Sequence, residues 1–212
     1  MGENLSIITF FFITFQPIIL DGAGHLKGRL AAFVAKQLLL GQRIIVVRCE
    51  QIICSGPYYR NQHIFLSYLK KRCNVNPKRG PFHFRSPAKM FYKCVRGMVP
   101  WKTQRGRKAM CMLKTYEGVP SSLASHRKLV VPEVMRVVRS NPAAKFCHLG
   151  KVAHEVGWKY RTVIRRLERR RLIKKKMAVI HKKHVSAFKA KAVHAARKEL
   201  RPFQAIKANY GY

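Results

Sequence analysis

The chain has 212 residues, 48% of them hydrophobic, so it can bury a real core and wholesale disorder is excluded. It carries 44 Lys and Arg against 8 Asp and Glu, a formal net charge of +36. No acid falls between Glu50 and Glu117, which leaves almost nothing from which to build a two-carboxylate active site or an acidic metal cluster.

A body with this charge repels itself unless a polyanion neutralises it, and nucleic acid is the usual polyanion. The charge is uneven. Residues 1–69 hold six bases and three acids, 70–145 nineteen and two, and 159–212 eighteen and two. A nearly neutral first third thus leads into two strongly basic zones. Six cysteines lack any Cys-x-x-Cys spacing, and His181 and His184 stand in a basic run without a sulfur or acid partner. The chain is therefore expected to bind no metal and to keep its thiols reduced, in cytosol or nucleus.

The earliest feature is Asn4–Leu20, an uncharged stretch interrupted by Ser6, Thr9, Thr14, Gln16 and Pro17. A membrane span needs ~20 predominantly apolar residues, and a secretory signal needs a basic start where Glu3 stands. Residues 1–17 are read instead as an apolar extension with strand character. Ile18-Ile19-Leu20 leads through Asp21-Gly22-Ala23-Gly24 into a helical pattern that ends at Leu40. Leu26, Leu30, Phe33, Val34 and Leu38 supply its buried face. Ile44–Val47 is a continuous apolar run suited to a strand covered on both sides, and Ile52-Ile53-Cys54 reads as another. Strand, helix and strand in about thirty residues make a βαβ unit, so the fold class is α/β with a parallel sheet.

Gly22 and Gly24 imitate a dinucleotide fingerprint, but its third glycine is replaced by Lys27 and no acid follows at the right distance. His154-Glu155 imitates half a zinc-protease motif whose second histidine is replaced by Trp158, so His154 is read as an interior or interface residue.

Asn61 is positioned to cap a helix that runs through Phe65, Leu66 and Leu69 into Lys70-Lys71-Arg72. Lys78 and Arg79 lie in a basic loop, and Arg85 precedes a Ser86-Pro87 helix start. That helix is expected to end at Gly97 and to carry Lys89, Lys93 and Arg96 as one cationic stripe. Lys102, Arg105, Arg107 and Lys108 follow, with Gly97 and Gly106 read as sites of chain reversal and Trp101 as a packing residue. Leu129-Val130-Val131 reads as a short strand and Val134, Val137 and Val138 as a short helix; after Ser140-Asn141-Pro142 another helix is expected to run through Leu149, Val152 and Val156 to Gly157. From Trp158 a long basic helix is expected, with a narrow seam of Tyr160, Ile164 and Leu167 that ends at Arg171 and a run of bases over 169–176, and an alanine-rich helix from Ala187 stops before Pro202.

Leu20-Asp21-Gly22, Gly24-His25-Leu26 and Gly28–Ala32 resemble the start of the universal large-subunit ribosomal protein thirteen family. Val95-Arg96-Gly97-Met98-Val99-Pro100 with Lys102-Thr103 and Arg105-Gly106 resembles its most diagnostic segment. Tyr59-Arg60-Asn61, Asn76-Pro77, Arg79-Gly80-Pro81 and Ala153–Tyr160 are similar to the eukaryotic cytosolic, thirteen-a branch. Ile53, Cys54 and Pro57 depart from the more polar residues of that pattern.

The resemblance implies a three-layer α/β/α body with a four-stranded, mainly parallel sheet, spanning 18–158 here, plus a basic helical tail over 159–212. It implies a structural constituent of the cytosolic large subunit that binds rRNA and neighbouring ribosomal proteins, passes through the nucleolus during assembly, and has no catalytic site, cofactor, small-molecule substrate or membrane partner. A free RNA-binding regulator acting on mRNA is the alternative that the basic surface leaves open. On either reading the expected RNA contacts are Arg29, Arg60, Lys70, Lys71, Arg72, Lys78, Arg79, Arg85, Lys89, Lys93, Arg96, Lys102, Arg105, Arg107, Lys108, Lys159, Arg161, Arg165, Arg166, Arg169 and Arg170.

Overall fold

A computed structural model describes residues 16–211, so the reading of residues 1–15 as an extended apolar segment lies outside the described residues. Contacts divide the chain into two units, one ending at Arg165 and one beginning at Arg166. Along the first run β1 (Ile18–Asp21), α1 (Lys27–Leu39), β2 (Ile44–Val47), β3 (Ile53–Ser55), α2 (Tyr58–Lys70) and α3 (Pro87–Met98). Then come α4 (Gln104–Cys111), β4 (Leu113–Thr115), α5 (Arg136–Arg139), β5 (Phe146–His148) and α6 (Leu149–Glu155).

The predicted βαβ unit is present. β1 pairs in parallel with β2, Ile18 opposite Ile44, and β2 pairs in parallel with β4, Ile44 opposite Leu113. Every residue of β2 is buried, as its unbroken apolar run requires of a central strand. Leu30, Val34 and Leu38 of α1 and Phe91 and Val95 of α3 pack with Leu20, Ile44 and Val46. Each such side chain contributes roughly 1.5–3 kcal/mol by leaving water. Ile19, Ile45 and Val47 point to the opposite face, where Val119 and Leu123 meet them.

Four expectations need correction. The sheet has three parallel strands, not four. The segment expected to supply a fourth is reduced to one parallel bridge, in which the Leu129 N–H donates to the Ile19 carbonyl at 2.8 Å and the Leu129 carbonyl accepts from Asp21 at 2.9 Å. It goes no further because the Val131 N–H donates to His25 instead and Pro132 has no N–H to offer. β3 does not extend the parallel sheet either; it pairs antiparallel with β5, which occupies residues where the helix after Pro142 was expected, that helix beginning only at Leu149. The residues over Ile19, Ile45 and Val47 come from a loop and the 3-10 turn Ser121–Leu123, so a helical third layer is not what covers that core. Asn61, finally, is not an N-cap. The helix begins at Tyr58, and the Asn61 amide donates to the carbonyls of Ser55, Gly56 and Pro57, holding the strand end against the helix start.

His25 organises the place where the fourth strand fails. It is buried, its Nδ1 lies 3.0 Å from the Ala23 carbonyl, and its Nε2 accepts from Val131 at 3.1 Å. Those partners require the neutral Nδ1–H form, and burial pushes the imidazole pKa below its ordinary value of 6.5. A depressed histidine pKa gives stability that is complete above the unfolded value and lost as pH falls through it. Unfolding free energy should therefore decline below about pH 6.5 by up to ~1.4 kcal/mol per pH unit on account of this residue. Denaturant unfolding at pH 8 and pH 5.5 checks it: the wild type should lose more on acidification than His25→Gln, and equal losses would contradict the assignment.

The second unit holds the remainder of α7 (Arg161–Ala195) and all of α8 (Arg197–Asn209). α7 is continuous beyond Arg171, where the narrow seam ended. The expected stop before Pro202 is not observed, since α8 runs through that residue. A proline removes a single intrahelical bond, which a helix open to water replaces with solvent. Glu168 is the one buried residue of α7. Helices without a packed face are marginal in water, so amides of 161–195 in the RNA-free protein should exchange far faster than those of α1. Hydrogen exchange measured on the full chain tests this, and equal protection in the two helices would refute it.

Candidate nucleic-acid interface

The basic residues between α2 and α4 form the most densely built region. α2 has no buried residue, exposes Arg60 in its first turn and delivers Lys70, Lys71 and Arg72 at its C-terminal end, where cations suit the helix dipole. In the loop that follows, the Asn76 side chain accepts from the Lys78 N–H at 3.1 Å and shapes the 3-10 turn that presents Lys78 and Arg79. Arg85 is partly engaged: its guanidinium donates to the Val156 carbonyl at 3.2 Å and to that of His83 at 3.0 Å.

The three cations of the α3 stripe have separate roles. Lys89 is exposed, its Nζ 5.6 Å from the Tyr92 ring centre. Lys93 is half-buried; its ammonium donates to the Phe82 carbonyl at 2.7 Å and to the Tyr68 hydroxyl, which ties α3 to α2 and to the loop between them. Arg96 lies 4.6 Å above the Trp101 ring. Trp101 is 41% exposed, so it is a platform for a guanidinium rather than a core packing residue.

The reversal between α3 and α4 is made by Val99, Pro100 and Trp101 and not by glycine. Gly97 is helical with nothing near it, and Gly106 lies inside α4. The function of Gly106 is close approach: a Cβ there would sit 2.0 Å from the Pro100 carbonyl oxygen. Thr103 locks the same turn, its Oγ1 donating to Pro100 at 2.7 Å and accepting from the Gly106 N–H at 3.2 Å. With Gly106, Ala109 and Met110 buried, α4 turns Arg105, Arg107 and Lys108 outward, and Lys102 is exposed in the turn before it.

Arg29 on α1 is exposed, but no described contact ties it or Arg60 to this group. Lys159, Arg161 and Arg165 are exposed near the end of the first unit, and Arg166, Arg169 and Arg170 are exposed in the second. His154 is exposed rather than interior, with Nδ1 3.2 Å from the Trp158 carbonyl.

Four of the carboxylates have internal partners, while Glu133 and Glu155 are exposed. Asp21 pairs with Arg48, which holds a left-handed backbone at φ 55° just after β2. Glu50 accepts from the Gly118 N–H at 2.9 Å, Glu117 accepts from Ser86, and Glu168 pairs with Arg171 at 2.8 Å. The Gly22 N–H, which a dinucleotide would need, donates to the Val47 carbonyl at 2.8 Å. Among the described residues no cluster of three or more His, Cys, Asp or Glu is placed to hold a metal ion, and no helix is long and apolar enough to cross a membrane.

Sequence reasoning missed one surface feature. Ile173, Met177, Ile180 and Phe188 of α7 are all about half exposed or more, and with His184 between them they recur every three or four residues. The spacing was visible, but the surrounding lysines hid it.

The sequence model of the family described as Ribosomal protein L13 matches residues 16–122, a span that contains α2, α3 and α4. The large ribosomal subunit protein uL13 of Spodoptera frugiperda is 48% identical over 197 residues, covering 93% of this chain and 97% of that protein. That of Drosophila melanogaster is 48% identical over 200 residues, covering 94% and 98%.

Proposed function

The chain belongs to the ribosomal protein L13 family, and with that as premise we propose how it serves the large ribosomal subunit: as a structural constituent whose cations neutralise rRNA phosphates. It is not an enzyme, and its place of work is the cytoplasmic ribosome, reached after assembly in the nucleolus. The observation that carries the phosphate reading is the opposed placement of charge. Apart from Lys93 and Arg96, the cations from Lys70 to Lys108 are exposed, whereas Asp21, Glu50, Glu117 and Glu168 are held by internal partners and, among the described acids, Glu133 and Glu155 are left exposed.

Lys89, Lys102, Arg105, Arg107 and Lys108 make the principal phosphate clamp, since their charged ends are free of competing hydrogen bonds. Lys93 positions this clamp by holding α3 to α2. Arg96 and Trp101 together offer a flat cationic surface on which a base or sugar can lie. Lys70, Lys71, Arg72, Lys78, Arg79 and Arg85 extend the footprint along the loop, with Arg29 and Arg60 as outlying contacts. Lys159, Arg161, Arg165, Arg166, Arg169 and Arg170 form a second anchor on rRNA. The apolar stripe of α7 faces a neighbouring protein of the subunit, because RNA offers no aliphatic surface to cover it.

Ultraviolet crosslinking of purified large subunits, followed by peptide mapping, tests the assignment. Crosslinked peptides should come from 89–108 and 159–171. Crosslinks confined to other segments would overturn it.

A further inference from the structure

Cys54 and Cys147 lie directly opposite each other where β3 pairs antiparallel with β5. Residues so paired project to the same face of a ladder with Cα atoms ~4.5–5.5 Å apart, inside the range that a disulfide bridges. Both are free thiols, 6% and 4% exposed, and they share the main core with Cys54 at its edge. A groove of about 730 Å³ opens onto Cys54, lined also by Lys27, Asn61, Phe65, Met90 and Cys94. The neighbouring Cys147 thiol holds Cys54 below its ordinary pKa, with burial opposing and the Lys27 ammonium assisting; the same proximity pushes Cys147 upward. Of the other thiols, Cys73 and Cys111 stand exposed on the surface without an opposed partner.

We propose that Cys54 and Cys147 form a dithiol site that takes a small disulfide through this groove and closes to an intramolecular disulfide. The Cys54 thiolate attacks one sulfur of R–S–S–R, forming Cys54–S–S–R and releasing RS⁻. Cys147 then gives up its proton and attacks the Cys54 sulfur, forming the Cys54–Cys147 bond and releasing the second RS⁻. Two protein thiols are oxidised, one small disulfide is reduced to two thiols, and no further oxidant is needed. The groove sets the order of the reaction, because it is lined by Cys54 and not by Cys147, and the register holds the resolving thiol beside the attacked sulfur. Cys94, on the neighbouring helix and also at the groove, has no strand pairing to hold it there.

The test uses the purified full chain, freed of RNA and treated with oxidised glutathione. Remaining thiols are then alkylated and the peptides mapped. The expected product links Cys54 to Cys147, with that pair lighter by two hydrogens and free of glutathione, while Cys73 and Cys111 carry separate glutathione adducts. Cys147→Ser should retain a single glutathione on Cys54. The proposal is overturned if Cys54 and Cys147 both remain thiols after Cys73 and Cys111 have reacted, or if Cys54 is found joined to Cys94. Should Cys147→Ser fail to fold, mapping of the wild type decides the matter alone. The result does not depend on rRNA binding, so failure of one reading leaves the other standing.

Discussion

Gly106→Ala is expected to lower folding stability by about 3 kcal/mol or more, the upper range for a single overpacking change. The added Cβ would stand 2.0 Å from the oxygen and 2.4 Å from the carbon of Pro100, and 2.8 Å from the Trp101 nitrogen. All three are main-chain atoms, so no side-chain rotation relieves the overlap. α4 would have to lift from the turn, which breaks the Thr103 cap and uncovers Ala109 and Met110. Gly97→Ala is the control. It also removes a helical glycine, but nothing lies within 4 Å of its Cβ position, so a gain of roughly 0.5–1 kcal/mol is expected. Urea unfolding of the two variants should move the midpoint in opposite directions. A Gly106→Ala midpoint near that of the wild type would mean that α4 does not rest on Pro100.

Replacing Lys89, Lys102, Arg105, Arg107 and Lys108 together by Gln should weaken binding to a large-subunit rRNA fragment and flatten its dependence on salt. Each phosphate neutralised contributes a log–log slope of about −0.7 on single strands and −0.9 on duplex, so five lost contacts should make the slope shallower by roughly 3.5–4.5. The loss should be similar across RNA sequences, since phosphate contacts fix register without reading bases. Lys93→Gln should behave differently. Its ammonium is engaged by the Phe82 carbonyl and Tyr68, so the change should lower stability and leave the salt slope nearly intact. Binding titrations from 50 to 300 mM salt separate the two. An unchanged slope in the fivefold variant would move the clamp to the 159–171 helix.

The parts legible in the sequence were those fixed by local pattern. The uninterrupted Ile44–Val47 run announced a central strand, and the helical spacing from Leu26 to Leu38 announced the crossover that packs on it. The Lys89, Lys93, Arg96 spacing placed three cations on one helix. What spacing does not carry is what each tip meets. Tyr68 lies on another helix, 25 positions before Lys93, and only the tertiary fold brings it near. β5 escaped notice for the same reason: Phe146-Cys147-His148 is too short to show alternation and becomes a strand only because β3 offers an edge. The lost fourth strand turned on a buried histidine 106 positions away from the amide it captures. Glycine misled most. Gly97 and Gly106 look alike as punctuation, yet one sits on an open helix face and the other fills a gap that admits no side chain.

The internal partnering of four acids reaches beyond binding. Asp21, Glu50, Glu117 and Glu168 are already matched by internal partners, which leaves the chain almost no counterion of its own for the cations outside. A copy released without its RNA carries that imbalance wherever it diffuses and adheres to whichever polyanion it meets first. On the proposed rRNA-binding reading, a surplus copy of the chain would have no means of quenching itself.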